Sequence, residues 1–209
     1  MSAQRRSFYI YVEGGGNDNA ALRKECVAGL TALLRKAGLA GRMPRIVASG
    51  SRKEAYDDFC DALEHRQPQD IFLLLVDSEE AVSTANPWAH LKTRQGDGWS
   101  RPIGATDDDC HLMTQCMETW LVADGPEFAK FFGKGFHAAS MPSRSGAELE
   151  DEPKVDIFAK IDRATAKCDP KPQYGKGAHS FKLLALIDPA KVRQLPWADR
   201  FFVYLLKVA

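Results

Sequence analysis

Phe8-Tyr9-Ile10-Tyr11-Val12-Glu13-Gly14-Gly15-Gly16 is the stretch on which the fold turns. Its aromatic and β-branched run leaves no polar face, which suits a strand covered on both sides, as in a parallel sheet. The acid and the glycines end that run. Asn17 or Asp18 then offers a cap for a helix whose apolar positions Leu22, Cys26, Leu30, Leu33 and Leu34 keep helical spacing, and Gly38 and Gly41 end it. A short second strand is expected over 45–48. Ser51-Arg52-Lys53-Glu54 is a capping box, with Ala55, Phe59, Ala62 and Leu63 as the apolar stripe behind it. A third run, Ile71-Phe72-Leu73-Leu74-Leu75-Val76, ends at Asp77-Ser78-Glu79-Glu80. Strand, helix, strand, helix, strand in that order implies an open, mainly parallel α/β sheet flanked by helices.

Beyond it the pattern turns helical. Residues 83–106 read as a long connection rich in Pro, Gly and Trp. Asp107 or Asp108 is expected to cap a helix running to about Val122, with Met113, Met117, Trp120 and Leu121 inward. Shorter helical stretches are expected at 128–132, 154–166, 181–187 and 197–208, with a polar linker over 138–151 and no further strand. The division this implies is an α/β core over 1–125 and a mainly helical extension over 126–209.

Composition narrows the function classes. The chain has 209 residues, with 28 Lys+Arg against 28 Asp+Glu and a formal net charge of zero. That balance excludes a protein that grips nucleic acid through a basic field over its whole surface, but not one with a local basic channel. The five cysteines include no C-x-x-C pair, which points to reduced thiols in a cytoplasmic protein and not to a zinc site or a disulfide framework. No signal peptide and no apolar run of membrane-spanning length is visible.

In an open parallel sheet, ligands bind outside the carboxyl ends of the strands. Two runs end in acids there, at Glu13 and at Asp77 and Glu79. If those strands are neighbours, three carboxylates converge, and a hard divalent cation such as Mg²⁺ or Mn²⁺ would offset their repulsion. Gly14 and Gly15 would let the backbone approach a phosphate closely. Acids at strand ends also serve as caps and solvated turns. No Gly-Lys-Ser/Thr follows the glycines, so the turn is not a P-loop, and its spacing is not a dinucleotide fingerprint.

The run ending in Val12-Glu13-Gly14, the helix, strand and helix after it, and Leu73-Leu74-Leu75-Val76-Asp77-Ser78-Glu79 resemble the catalytic core of Toprim domains, found in topoisomerases, primases and the overcoming-lysogenization-defect nucleases. With Met117-Glu118-Thr119-Trp120-Leu121-Val122-Ala123-Asp124 and Lys176-Gly177-Ala178-His179-Ser180, the whole chain is similar to bacterial proteins of domain-of-unknown-function family 4276. These resemble Toprim-like proteins encoded beside ATPases in phage-defence loci. The resemblance implies a Toprim-like, Rossmann-like fold and a metal-dependent nuclease. It makes Glu13 a metal ligand or general acid/base and Asp77 the first aspartate of an Asp-x-Asp pair. Glu79 stands where the second aspartate would be.

Other residues enter the same expectation. Glu118, amid apolar neighbours, is a candidate ligand, and His111 would share its helix face seven residues earlier. Asp107 is a minority metal candidate that equally complements a helix dipole. Lys176 is expected to steady charge on a phosphate, with His179 beside it. Lys92, Arg94 and Arg101, interleaved with Trp88 and Trp99, form the mix that holds single strands, although the tryptophans would serve equally to pin the loop. The leading expectation is a phosphodiesterase acting on nucleic acid. Its rivals are a non-catalytic partner of an ATPase and an enzyme acting on a small nucleotide.

Overall fold

A computed structural model describes residues 6–16 and 19–209. Its sheet has four parallel strands, β1 (Phe8–Gly15), β2 (Arg45–Gly50), β3 (Ile71–Asp77) and β4 (Cys110–Met113), in the order β2-β1-β3-β4. Helix α1 (Ala20–Leu34) joins β1 to β2, and α2 (Arg52–Glu64) carries the chain from β2 across β1 to β3. The first connection steps from β1 to one side and the second returns past it to the other, so the order reverses between β1 and β3, and right-handed crossovers put α1 and α2 on opposite faces. This is a Rossmann-like α/β fold.

Strand periodicity divides the core into two layers. Ile10, Val12, Leu73, Leu75 and Met113 pack with Leu30, Leu33, Phe181, Phe201 and Phe202 on one face. Tyr11, Phe72, Leu74, Val76, Cys110 and Leu112 pack with Phe59, Trp88 and Leu91 on the other. Alternate residues therefore serve alternate layers, which is why the β1 and β3 runs are apolar throughout. All seven residues of β3 are buried.

The expected cap for α1 at Asn17 or Asp18 lies outside the described residues; Asn19 fills the role, its side chain accepting from the Leu22 N–H at 3.0 Å. The Ser51–Glu54 capping box at α2 forms as read from the sequence. Two expectations are corrected. The long connection over 83–106 contains helix α3 (Pro87–Thr93), started by Asn86 as cap and Pro87 in the first turn, a combination that marks helix starts. The helix expected from Asp107 to Val122 is instead a 3₁₀ turn at Asp107–Asp109, strand β4, and then α4 (Met117–Ala123). Asp109 closes its own short box with Thr106, and Cys110–Met113, buried at every position, pairs with β3. The open edge of an apolar strand recruits four residues that helical propensity alone would not have placed there.

After β4 the chain is helical: α4, α5 (Gly125–Phe132), α6 (Ala147–Glu150), α7 (Lys154–Thr165), α8 (Lys176–Leu186), α9 (Pro189–Val192) and α10 (Pro196–Val208). Residues of α8 and α10 share one hydrophobic cluster with α1 and β1. No helix among the described residues is long and apolar enough to cross a membrane. All five cysteines are free.

His111 lies on β4, inside the core against Phe201 and Tyr204, and not on a helix face with Glu118. Burial, and next the charge of Arg200, lowers its pKa from 6.5 to about 3. The folded state therefore refuses a proton that the unfolded chain accepts. The sign follows: stability falls as pH drops from about 6.5 toward 3, by at most about 1.4 kcal/mol per pH unit from this group. In urea denaturation, His111→Phe is expected to gain on wild type by about 1–2 kcal/mol between pH 7 and pH 5. An unchanged difference at the two pH values would contradict this burial.

Candidate functional site

The reversal between β1 and β3 opens a crevice at the carboxyl ends of these two strands, where ligands bind in open α/β sheets. Glu13 lies near the end of β1, and Asp77 is the last residue of β3. After Val12 the β1–β2 register slips, with Glu13, Gly14 and Gly15 all opposite Gly50, so the chain peels away from the sheet there. Glycine is required in this turn. A side chain at Gly14 would meet Cys26 Sγ at 2.5 Å, and Gly15 has φ of +90° over the Arg23 backbone. Past β3, the N–H groups of Ser78 and Glu79 donate to the carbonyls of Met113 and Gln115 at 2.9 and 2.8 Å. These bonds hold Glu79 at φ +66°, a left-handed conformation costing about 1–2 kcal/mol for a side chain of this size.

Glu13, Asp77 and Glu79 each offer a carboxylate oxygen within 4.8 Å of the others. Their surroundings differ. Asp77 is almost wholly buried; Oδ1 accepts from the Met117 N–H at 2.8 Å, while Oδ2 faces Lys154 Nζ and Lys176 Nζ, each at 3.9 Å. Glu79 takes a hydrogen bond from Lys154 Nζ at 2.7 Å. Glu13 Oε2 is buried without a hydrogen-bond partner, with Arg52 Nε 4.0 Å away. Arg52 is itself committed elsewhere, donating to the Asp77 carbonyl at 2.8 Å and to Asp97 at 2.7 Å.

The titration behaviour follows from this environment. Burial, and next the charge of Glu13, pushes the Asp77 carboxyl well above the usual aspartate range. Burial likewise raises Glu13, against the opposing charges of Arg52 and Lys176. At Glu79 burial also raises the pKa, but the hydrogen bond and charge of Lys154 outweigh it, and the net shift is downward. Lys176 is half-exposed; burial disfavours its charge, but Glu118, Asp77 and Glu13 together raise its pKa. The lysine stays protonated beside the acids.

Glu118 is not one of the trio. It is fully buried on α4, with Oε1 accepting from the Tyr174 hydroxyl at 2.8 Å and Oε2 without a partner. Its charge acts on Lys176. His111 is consumed by the core. Asp107 precedes β4, at the opposite edge of the sheet, where it pairs with Arg101 at 3.2 Å and accepts from Asn86 at 2.8 Å. His179 sits among Phe131, Phe132 and Tyr174, its Nδ1 accepting from the Gly175 N–H at 3.0 Å, and it caps its own helix.

The loop cations are dispersed. Lys92 is exposed on α3, and Arg94 binds Asp97 at 2.9 Å. Both tryptophans pin the segment. Trp88 is buried against Phe59 and donates to the Thr106 carbonyl at 2.9 Å, while Trp99 stacks on Tyr56 at 4.6 Å with Arg52 over its ring. Sequence reasoning missed Lys154 and Arg52. Each opens a helix, and the capping box before Arg52 is the only signal that could have pointed to either.

Two cavities flank Glu13. One of about 380 Å³ is lined by Gly14–Gly16, Leu22, Asp77, Met113, Met117, Lys176 and Phe181 among others. The other, of about 420 Å³, is bounded by Ser51, Arg52, Lys53, Glu79, Arg94 and Trp99. Gly14, Gly15 and Lys176 thus share one cavity with Glu13 and Asp77, while Glu79 and Arg94 line the other.

The acidic trio has a consequence for stability. A group whose folded pKa is raised contributes stability at low pH and loses it as pH rises above the ordinary value, 3.8 for Asp77. Without a divalent ion, Asp77→Asn is therefore expected to raise the melting temperature at pH 7.5 by a few degrees. Saturating Mn²⁺ should stabilise wild type and leave the variant nearly unmoved. A variant that melts lower and still gains from Mn²⁺ would contradict the assignment.

A family model described as a domain of unknown function, DUF4276, matches residues 12–206. No curated protein and no solved structure matches the chain.

Proposed function

The chain belongs to the DUF4276 family, and from that premise we propose that it is a divalent-metal-dependent phosphodiesterase acting on nucleic acid. One observation carries the reading: three carboxylates from two adjacent strand ends meet within 4.8 Å, and a buried oxygen of Glu13 has no partner. An all-oxygen, anionic donor set of this kind suits Mg²⁺ or Mn²⁺ and disfavours softer ions. Glu13, Asp77 and Glu79 would hold the ion, which when bound supplies Lewis-acid polarisation of a phosphoryl oxygen and a nucleophile at neutral pH.

The protein's own groups then have distinct tasks. The backbone of Met117 fixes one Asp77 oxygen and leaves the other facing the crevice. Lys154 neutralises Glu79 until the site is filled. Lys176, protonated and half-exposed at the start of α8, reaches the same crevice and would stabilise charge developing on the phosphate. Tyr174 holds Glu118, whose charge, with those of Asp77 and Glu13, offsets the burial that disfavours the charged form of Lys176.

The Toprim-like identity belongs to this proposal. Glu13 stands for the Toprim glutamate, Asp77 for the first aspartate, and Glu79 for the second with a longer arm. The neutral net charge supports weak, salt-sensitive binding by the chain alone. An ATPase partner, as in the phage-defence loci that the resemblance implies, would supply the missing basic surface.

The test is cleavage of labelled single-stranded DNA, duplex DNA and RNA with Mg²⁺ or Mn²⁺. Glu13→Ala and Asp77→Ala should each slow cleavage at least about 100-fold, roughly 2.7 kcal/mol of barrier, and Lys176→Met about tenfold. Cleavage by Glu13→Ala and Asp77→Ala at wild-type rates would overturn the assignment.

A further inference from the structure

The cavity of about 380 Å³ beside the acids is lined by two unlike sets of side chains. Asp77, Glu13 and Lys176 are one set, and Leu22, Met113, Met117 and Phe181 are the other, with Met113 and Met117 directly beside Asp77. With a divalent cation held by the acids, a ligand that fills it joins an apolar body directly to an anionic group. The volume lies in the range of small-ligand sites, and the space cannot admit the width of a duplex.

The apolar set cannot read hydrogen bonds through its side chains. Of the two hydroxyls that line the cavity, Ser180 gives its proton to the Lys176 carbonyl, while Ser51, whose Oγ accepts from the Glu54 N–H at 3.2 Å, stands at the start of α2 and keeps one O–H to donate. The apolar set is a phenyl ring, two thioethers and an isobutyl group. These pack against a flat ring whatever the pattern of its edge. The glycine turn shapes the remaining wall, and a side chain at Gly14 would be met by Cys26 Sγ at 2.5 Å and by Phe181 at 3.4 Å.

We propose that this cavity seats a single unpaired nucleobase whose phosphate lies at Glu13, Asp77 and Lys176, with little preference for base identity. The inference rests on the reading of the acidic trio as a metal-held phosphoester site, and it narrows the substrate to an unstacked nucleotide. A duplex would have to surrender a base to enter, which costs a few kcal/mol of pairing and stacking. A free nucleotide and a single-stranded segment offer the same chemistry, and the two can be told apart.

The experiment starts with Mn²⁺ alone, titrated calorimetrically into wild type, Leu22→Trp and Phe181→Leu. All three should bind Mn²⁺ within about twofold of one another. AMP and ribose 5-phosphate are then titrated into the Mn²⁺-loaded proteins. Wild type should bind AMP at least tenfold more tightly than the baseless sugar phosphate. Leu22→Trp, which fills the cavity, should erase that difference, and Phe181→Leu should reduce it. CMP should bind wild type within about threefold of AMP. A single-stranded hexadeoxynucleotide should bind at least tenfold more tightly than the same sequence as a blunt duplex. Tighter binding of the hexamer than of AMP assigns the site to strands, and the reverse assigns it to free nucleotides. With Mn²⁺ bound, equal binding of AMP and ribose 5-phosphate overturns the pocket assignment alone, as does equal binding of duplex and single strand where the hexamer binds more tightly than AMP. So does an AMP advantage that survives in both variants. A wild type that takes up no Mn²⁺ overturns the reading of the acids, and this inference falls with it.

Discussion

Repulsion among three carboxylates gathered at the ends of β1 and β3, Asp77 buried and Glu13 and Glu79 partly so, is the constraint around which the rest of the site is arranged. Like charges this close cannot all ionise without compensation. The protein answers with cations brought from distant parts of the chain: Arg52 from the start of α2, Lys154 from the start of α7 and Lys176 from the start of α8. Only one of these contacts, Lys154 with Glu79, has the length of a hydrogen bond. The others stand 3.9–4.0 Å from their acids. The compensation is therefore incomplete, and it leaves one Glu13 oxygen unpartnered and the Asp77 carboxyl displaced upward. Burying charge under such conditions reduces stability, which evolution tolerates at functional sites more readily than elsewhere.

The helical half of the chain is essential to this arrangement. Helix α8 lies across α1 and delivers Lys176 and Phe181 to the crevice, while the start of α4 supplies the N–H that orients Asp77. Glu118 and Tyr174 form a buried pair behind the lysine. The crevice is thus walled by the sheet on one side and by the C-terminal helices on the other. Neutrality over the whole chain is an average over an acidic centre and the cations that face it.

The two runs on which the fold turns were legible because burial on both faces removes every polar residue from a central strand. The same runs made Glu13 and Asp77 legible, since an acid directly after such a strand must lie at the carboxyl edge. Strand β4 was not legible. Its four residues are too few for periodicity to speak, and its place depends on the open edge of β3. Helix α3 was announced by Asn86-Pro87 but is shorter than its surrounding loop. Lys154 and Arg52 reach the acids only because their helices dock there, which no local pattern records. His111, His179 and Asp107 show the converse, since side chains able to do chemistry serve here in packing, capping and a surface pair. Trp88 and Trp99 likewise turn their faces to Phe59 and Tyr56.

The central claim is that Glu13, Asp77 and Glu79 hold a divalent cation. Anomalous diffraction from crystals soaked in Mn²⁺ tests it most directly. The account predicts a strong peak among the three carboxylates, with Lys154 withdrawn from Glu79. A map with no peak there, and Lys154 still on Glu79 at saturating Mn²⁺, would contradict it.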